Sequence, residues 1–202
     1  MKTLLLMRHA KSSWKFTDLK DQDRPLNKRG RNDAPLMGQL ILDRELVPQR
    51  IISSTAVRAR ETAEILVDTL KFEGEVTYLD RLYMAESDDH IAVLRDLPDE
   101  VERVMIIGHN PGLEYLLQEL AGRVESLPTA VLAHIVLPID QWSQLKNQVT
   151  GEMVEIWKPK EVREELEEEE KQKEKEKSKS KKDKDKKEKE KEKKSKSKKK
   201  DK

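Results

Sequence analysis

The chain has 202 residues, with 41 Lys or Arg against 40 Asp or Glu, so its formal net charge is +1. That balance joins two unlike pieces: residues 160–202 carry 21 basic and 15 acidic side chains, which leaves 20 basic and 25 acidic ones, net −5, in residues 1–159. The lack of any cysteine excludes a disulfide framework, a thiol nucleophile and Cys-ligated zinc, and no stretch reaches the ~20 apolar residues of a membrane span.

In chain order, the first element is the apolar run Thr3–Met7, which reads as a strand buried on both faces. It ends at Arg8-His9, too early for the apolar region of a signal peptide, so a cytoplasmic protein is expected. A polar stretch from Lys11 to Arg24 closes at Pro25. A helical pattern follows with Leu36, Met37, Leu40 and Ile41 on one face, for which Asp33 is the expected cap and Pro35 a first-turn residue. Arg50–Ser53 is a short strand, and Val57–Leu70 is a helix on the spacing of Ala59, Ala63, Leu66 and Leu70. After Gly74, Val76–Leu79 is a third strand and Ser87–Leu97 a helix capped by Ser87. Val104–Ile107 is a fourth buried strand that runs into Gly108-His109-Asn110-Pro111-Gly112. Leu113–Leu120 resumes as helix, and Ala130–Leu137 and Val154–Trp157 are the last strands.

Strands alternating with helices predict an α/β fold: a mostly parallel central sheet with helices on both faces, contained in one domain over residues 1–159. Ligands of such sheets lie beyond the carboxyl ends of the strands. There the first strand offers Arg8 and His9, the second offers Ser53 and Ser54 with Arg58 a turn into the next helix, and the fourth offers His109 and Asn110. Two guanidinium groups can fork onto a phosphoryl group, one neutral imidazole can attack phosphorus, and a second can steady the transferring group. Taken singly, each residue also fits a solvated strand end or a turn. The conjunction of three strand ends is what favours a site.

These same residues carry a resemblance. Met7-Arg8-His9-Ala10, the run Ser53 to Ala63 with Arg58 inside it, and Ile107-Gly108-His109-Asn110-Pro111 together resemble the histidine phosphatase superfamily, the phosphoglycerate-mutase-like fold. The segment Asp23-Arg24-Pro25-Leu26-Asn27 through Arg29-Gly30 is similar to its short SixA-type phosphohistidine phosphatases. The resemblance spans roughly residues 1–159 and implies that His9 becomes phosphorylated, that Arg8 and Arg58 bind phosphoryl oxygens together with Asn110, and that His109 stabilises the group in transfer. It implies neither metal nor cofactor.

Three departures stand out. Ala10 occupies the position of a usual glycine. Lys15 stands where some relatives have asparagine, and Lys11, Ser12 and Ser13 beside it are further candidate donors. Many relatives have a glutamate acid where this chain reads Leu82-Tyr83-Met84, so Asp21, Asp23 and Glu86 become the candidates for proton donor. A phosphoramidate leaves more readily than an alkoxide and needs less acid help, which suits phosphohistidine in proteins as substrate. The alternatives are a small phosphate-ester substrate, or a binding module for phosphate or phosphoprotein that does not turn over. His90 reads as a helix-start residue and His134 as a structural one.

All seven glycines, all eight prolines, every aromatic residue and all four histidines precede Lys160. After it Val162 and Leu166 are the sole aliphatic residues, too little apolar surface to offset the entropy of ordering a core. Residues 160–202 are therefore expected to be a Lys/Glu-rich tail, helical at first through pairs such as Glu167–Lys171 and Glu169–Lys173, and disordered beyond about Ser178. A polycation of this kind could contact nucleic acid or acidic partners. Interleaved acids and the lack of stacking aromatics favour a plain solubilising extension instead.

Overall fold

The computed structural model describes residues 1–146 and 151–173. Its strands are β1 (Lys2–Arg8), β2 (Arg50–Ser54), β3 (Glu75–Leu79), β4 (Arg103–Gly108), β5 (Leu132–Leu137) and β6 (Glu152–Trp157). The helices interleaved with them are α1 (Lys28–Asp43), α2 (Val57–Leu70), α3 (Ser87–Arg95) and α4 (Gly112–Ala121), and α5 covers 159–173. The strands form one sheet in the order β3-β2-β4-β1-β5-β6. β1, β2, β3 and β4 run parallel, and β5 and β6 are added antiparallel to their neighbours. The expected α/β class and mostly parallel sheet are what the chain adopts.

Both faces of the sheet are covered, which explains the unbroken apolar runs. Leu4 and Leu6 of β1 and Val104 and Ile106 of β4 pack with α3 and α4. Leu5, Met7, Met105 and Ile107 point the other way and pack with α1 and α2. Alternate residues thus feed opposite cores, and each central strand is apolar throughout. The compact unit that carries the sheet runs Met1–Val162, and Val162 in the first turn of α5 is one of its buried residues.

Four expected boundaries are corrected. α1 begins at Lys28, two turns before the apolar face shows itself, because Asn27 is its cap: the Asn27 side chain accepts from the Gly30 N–H at 2.9 Å. Asp33 is instead a buried helical residue paired with Arg29 at 3.1 Å, and Pro35 lies inside the helix. α3 is capped by Glu86 rather than Ser87, in a reciprocal capping box with Asp89, and it stops at Arg95 ahead of Pro98. β5 starts at Leu132, not Ala130, because Ala130 turns through φ 62° to bond the backbone beside His9.

The other two buried or half-buried histidines have structural surroundings. His90, fully buried in α3, bonds through Nδ1 to the Glu86 carbonyl at 2.7 Å. His134 stacks on Trp157 with 6.4 Å between ring centres. In α5 the side chains of Glu167 and Lys171 lie 3.8 Å apart and those of Glu169 and Lys173 3.3 Å. The disorder expected beyond Ser178 lies outside the described residues.

Candidate active site

The strand register brings the expected residues together. β1 and β4 are parallel neighbours with Arg8 opposite Gly108, and the His9 N–H bonds the Gly108 carbonyl at 3.1 Å. The next residues on the two strands, His9 and His109, therefore meet, with ring centroids 4.9 Å apart. β2 lies on the other side of β4 and delivers α2, whose first turn carries Arg58. In the turn between them the Ser54 hydroxyl accepts from the Ala56 N–H at 3.2 Å.

Local bonds hold the nucleophile candidate in one state. His9 Nδ1 sits 2.7 Å from the Ala10 carbonyl, which can accept but not donate, so this nitrogen carries the proton. Nε2 is then the ring's lone-pair nitrogen, and Arg58 Nε donates to it at 3.2 Å. Burial first, and then the charges of Arg58, Arg8 and Arg24, lower the His9 pKa to about 3, against the opposing pull of the Ala10 bond. Burial likewise takes His109 to about 3, helped by His9 and Arg58. Both imidazoles are neutral at physiological pH. Ala10 fits in place of glycine: its backbone is outside the left-handed region and its methyl is buried in the core.

Arg58 is bonded along its whole edge. Besides His9, it donates to the Asp21 carbonyl at 2.6 Å and to the Asp21 carboxylate at 2.9 Å, and lies 3.4 Å from His109 Nδ1. Arg8 donates to the Leu127 carbonyl at 2.7 Å, while its buried Nε has no partner. Asn110 donates to Glu114 at 2.6 Å and to the same Leu127 carbonyl at 2.9 Å, leaving its buried Oδ1 free. His109 Nε2 is likewise buried without a partner. Buried polar atoms are seldom left so, and three in one place mark a site built for polar contacts beyond those the chain makes with itself.

Of the three proton-donor candidates, one is at the centre. The short helix Asp21–Asp23 hangs over Arg58, and the Asp21 carboxylate accepts from Arg24 at 2.6 Å, Arg58 at 2.9 Å and Tyr83 at 3.0 Å. Partial burial works to raise the Asp21 pKa, but these donors and the Arg58 charge outweigh it and hold the group below the usual carboxylate range. Asp23 is exposed. Glu86 caps α3 at the edge of a neighbouring cavity.

Arg24 and Thr62 are residues of the candidate site that residue-type reasoning passed over. Arg24 is buried and bonds the Ser13 carbonyl at 3.1 Å, the Ser12 hydroxyl at 2.6 Å and Asp21, with its guanidinium over the Trp14 ring. A buried arginine in a polar loop leaves no periodic trace; its place beside Pro25, where the chain re-enters the fold, was the available sign. Thr62, one turn beyond Arg58, accepts from the Ala10 N–H at 3.0 Å and donates to the Arg58 carbonyl at 2.6 Å, tying the arginine to the histidine. The surrounding cavity of about 270 Å³ is lined by Arg8, His9, Lys11, Ser12, Arg24 and Arg58 among others; Lys15 is not part of it.

Similarity to known proteins agrees with this geometry. The profile of the histidine phosphatase superfamily (branch 1) matches residues 4–83. An uncharacterised chloroplastic protein of Arabidopsis thaliana is 34% identical over 152 residues, 70% of this chain and 69% of its own length. A SixA protein of Agrobacterium tumefaciens, provisionally described as a phosphohistidine phosphatase, is 28% identical with a TM-score of 0.68, over 78% of this chain and 98% of that one. A protein histidine phosphatase SixA solved with tungstate shares the fold, at 24% identity and a TM-score of 0.69, over 79% of this chain and 99% of its own. A neutral histidine pair ringed by arginines at the ends of β1 and β4, on this sheet and under this profile, places the chain in the histidine phosphatase superfamily, with the phosphatase class that membership carries.

Proposed function

We propose that this protein removes the phosphoryl group from phosphohistidine in proteins, through a covalent phosphohistidine on His9. The observation that carries the reading is the neutral His9 ring, with its Nε2 lone pair turned to Arg58 and its other nitrogen committed to Ala10. In the first step Nε2 attacks phosphorus, the bond from phosphorus to the substrate's ring nitrogen breaks, and the electron pair stays with that nitrogen; the substrate ring already carries a proton on its other nitrogen, so it departs as neutral imidazole. Arg8 and Arg58 hold the phosphoryl oxygens, whose charge replaces that of Asp21 against Arg58. His109 completes the cradle through its unpartnered Nε2, and Asn110 borders it with its amide hydrogens given to Glu114 and Leu127. In the second step water attacks phosphorus, the Nε2–phosphorus bond breaks, and the water's proton goes to the departing phosphate or to solvent.

Phosphoryl transfer asks mainly for positioning and charge. Arg8, Lys11, Arg24 and Arg58 supply cations around the cavity, so the reading calls for neither metal nor cofactor. The state of Asp21 selects among substrates. Held as a carboxylate by Arg24 and Tyr83 when the phosphoryl group takes its place on Arg58, it is a poor proton donor, and a leaving group that needs little protonation is the one this site serves. A nitrogen leaving group meets that need better than an alkoxide. We place the enzyme in the cytoplasm.

The test is phosphate release from a phosphohistidine peptide in chelator, by the unmodified protein and by His9→Ala. Turnover that disappears in the variant is the expected result. Equal release by both proteins would remove His9 from the chemistry, and no release by either would remove phosphohistidine as substrate.

A further inference from the structure

The His9 cavity opens beside a second cavity of about 540 Å³, and the two share Arg58, His109 and Asn110 as a common wall. Their charges are opposite. Arg8, Lys11, Arg24 and Arg58 line the first with no carboxylate among the lining residues. The second is walled by Tyr83, Met84, Ala85, Pro111 and Tyr115, and its charged residues apart from Arg58 are Asp21 and Glu86. Arg58 already faces Asp21 at 2.9 Å. A negative group entering the second cavity would therefore meet Asp21, Glu86 and the rings of two tyrosines.

We propose that this second cavity is the leaving-group subsite and that it selects a positively charged leaving group, a protonated nitrogen base, over an anionic one. The inference rests on the reading of the His9 cavity as the phosphoryl site and adds what lies on the other side of the bond that breaks. A phosphoryl group between His9 and His109 has the shared wall of His109 and Asn110 as its boundary, and its substituent continues along that wall into the second cavity. Tyr83 already takes a cation, with the Arg58 guanidinium 5.9 Å from its ring centre, and Tyr115, which also lines the cavity, is 55% exposed. Aromatic faces and carboxylates together are how proteins hold organic cations. Met84 lines the same cavity with φ 55° and 78% exposure. A non-glycine residue held in the left-handed region is a strain that clusters at ligand clamps. The substrate this describes is polarised along one bond: anionic at phosphorus, cationic at the group that departs. Carboxylate-bearing phosphate esters have the wrong sign.

The test uses two esters of matched size, phosphoethanolamine and 2-phosphoglycolate, with inorganic phosphate as reference. Their binding to the full-length His9→Ala protein, which holds ligand without consuming it, is measured by calorimetry. Phosphoethanolamine is expected to bind roughly tenfold tighter than phosphoglycolate, as a few partly screened charge contacts allow. Glu86→Lys, and independently Tyr115→Arg at its exposed helical position, are each expected to cut that ratio severalfold while leaving phosphate affinity unchanged. Since Glu86 also caps α3, the tyrosine variant separates charge from helix stability. Equal or reversed preference in His9→Ala, or a ratio that neither variant moves, overturns the subsite. Failure of phosphate itself to bind would instead overturn the phosphoryl site beneath it.

Discussion

His9 owes its chemistry to two contacts and a crowd of like charges. The Ala10 carbonyl takes one ring nitrogen, Arg58 faces the other, and three arginines penalise a proton on the ring. Asp21, by contrast, is built to stay ionised. Asp21→Asn is therefore expected to keep kcat on a phosphohistidine peptide within about threefold, because the residue donates no proton. KM for the same peptide is expected to move by no more than a similar factor, because freeing Arg58 for the phosphoryl group is offset by the loss of one of the two carboxylates that line the leaving-group cavity. Steady-state kinetics decide: a drop in kcat of ~10²-fold or more, the usual scale of a lost general acid, would make Asp21 the acid after all. At this scale the sequence was legible where a residue stood at a strand end. Arg8, His9 and His109 were placed side by side that way, since strand ends can be located from apolar runs alone, and Arg58 was placed a turn into the helix that follows β2. Arg24 was not, because its role comes from the fold of a loop that has no period, and the state of Asp21 depends on partners 3, 37 and 62 residues away.

Among the elements, the junction between the first loop and α1 does most to fix the site. The Asn27 N–H bonds the Lys11 carbonyl at 2.9 Å, Ser12 bridges Leu26, and the Leu26 N–H bonds Glu61 of α2 at 2.6 Å. Gly30 lies so close that a methyl there would collide with the Lys11 carbonyl oxygen. Since that atom is backbone, it can move only by shifting the strand end. Gly30→Ala is expected to cost about 2 kcal/mol or more of stability, in the range of overpacked sites, and to lower activity on every substrate alike. Urea unfolding and kcat/KM measure the two. Periodicity read the Val57–Leu70 helix to its ends, because a buried face runs its whole length. It misplaced the start of α1 because the first turns, Lys28 to Asn32, are mostly polar, and their purpose is to cap the loop around Arg24.

On the scale of the whole molecule, two buried neutral histidines make stability depend on acidity. In the folded protein His9 and His109 take protons near pH 3, whereas in the unfolded chain they do so near the ordinary histidine value of 6.5. Between those values the unfolded state binds more protons, so stability rises with pH across the window. The histidine contribution is complete above about pH 6.5 and is lost progressively as pH falls towards 3. Denaturant midpoints should therefore fall steadily from pH 7 to pH 4, and less steeply in His109→Gln. Equal slopes in the two proteins would show that His109 is not held neutral. The alternation of strands and helices made the layered architecture legible from the sequence, because a sheet buried on both faces demands apolar strands. The antiparallel addition of β5 and β6 was not legible, since antiparallel strands covered on both faces look no different from parallel ones.

The contact between His9 Nδ1 and the Ala10 carbonyl also decides regiochemistry. With the ring nitrogen nearer the main chain tied to a carbonyl, phosphorus can be taken up only by the one farther from it. The trapped enzyme should then carry tele-phosphohistidine and none of the pros isomer. The two isomers differ in acid lability and in recognition by isomer-specific antibodies, so a rapidly quenched reaction probed with both reagents tells them apart. A pros signal would mean that the ring turns over during catalysis and that Ala10 does not hold it.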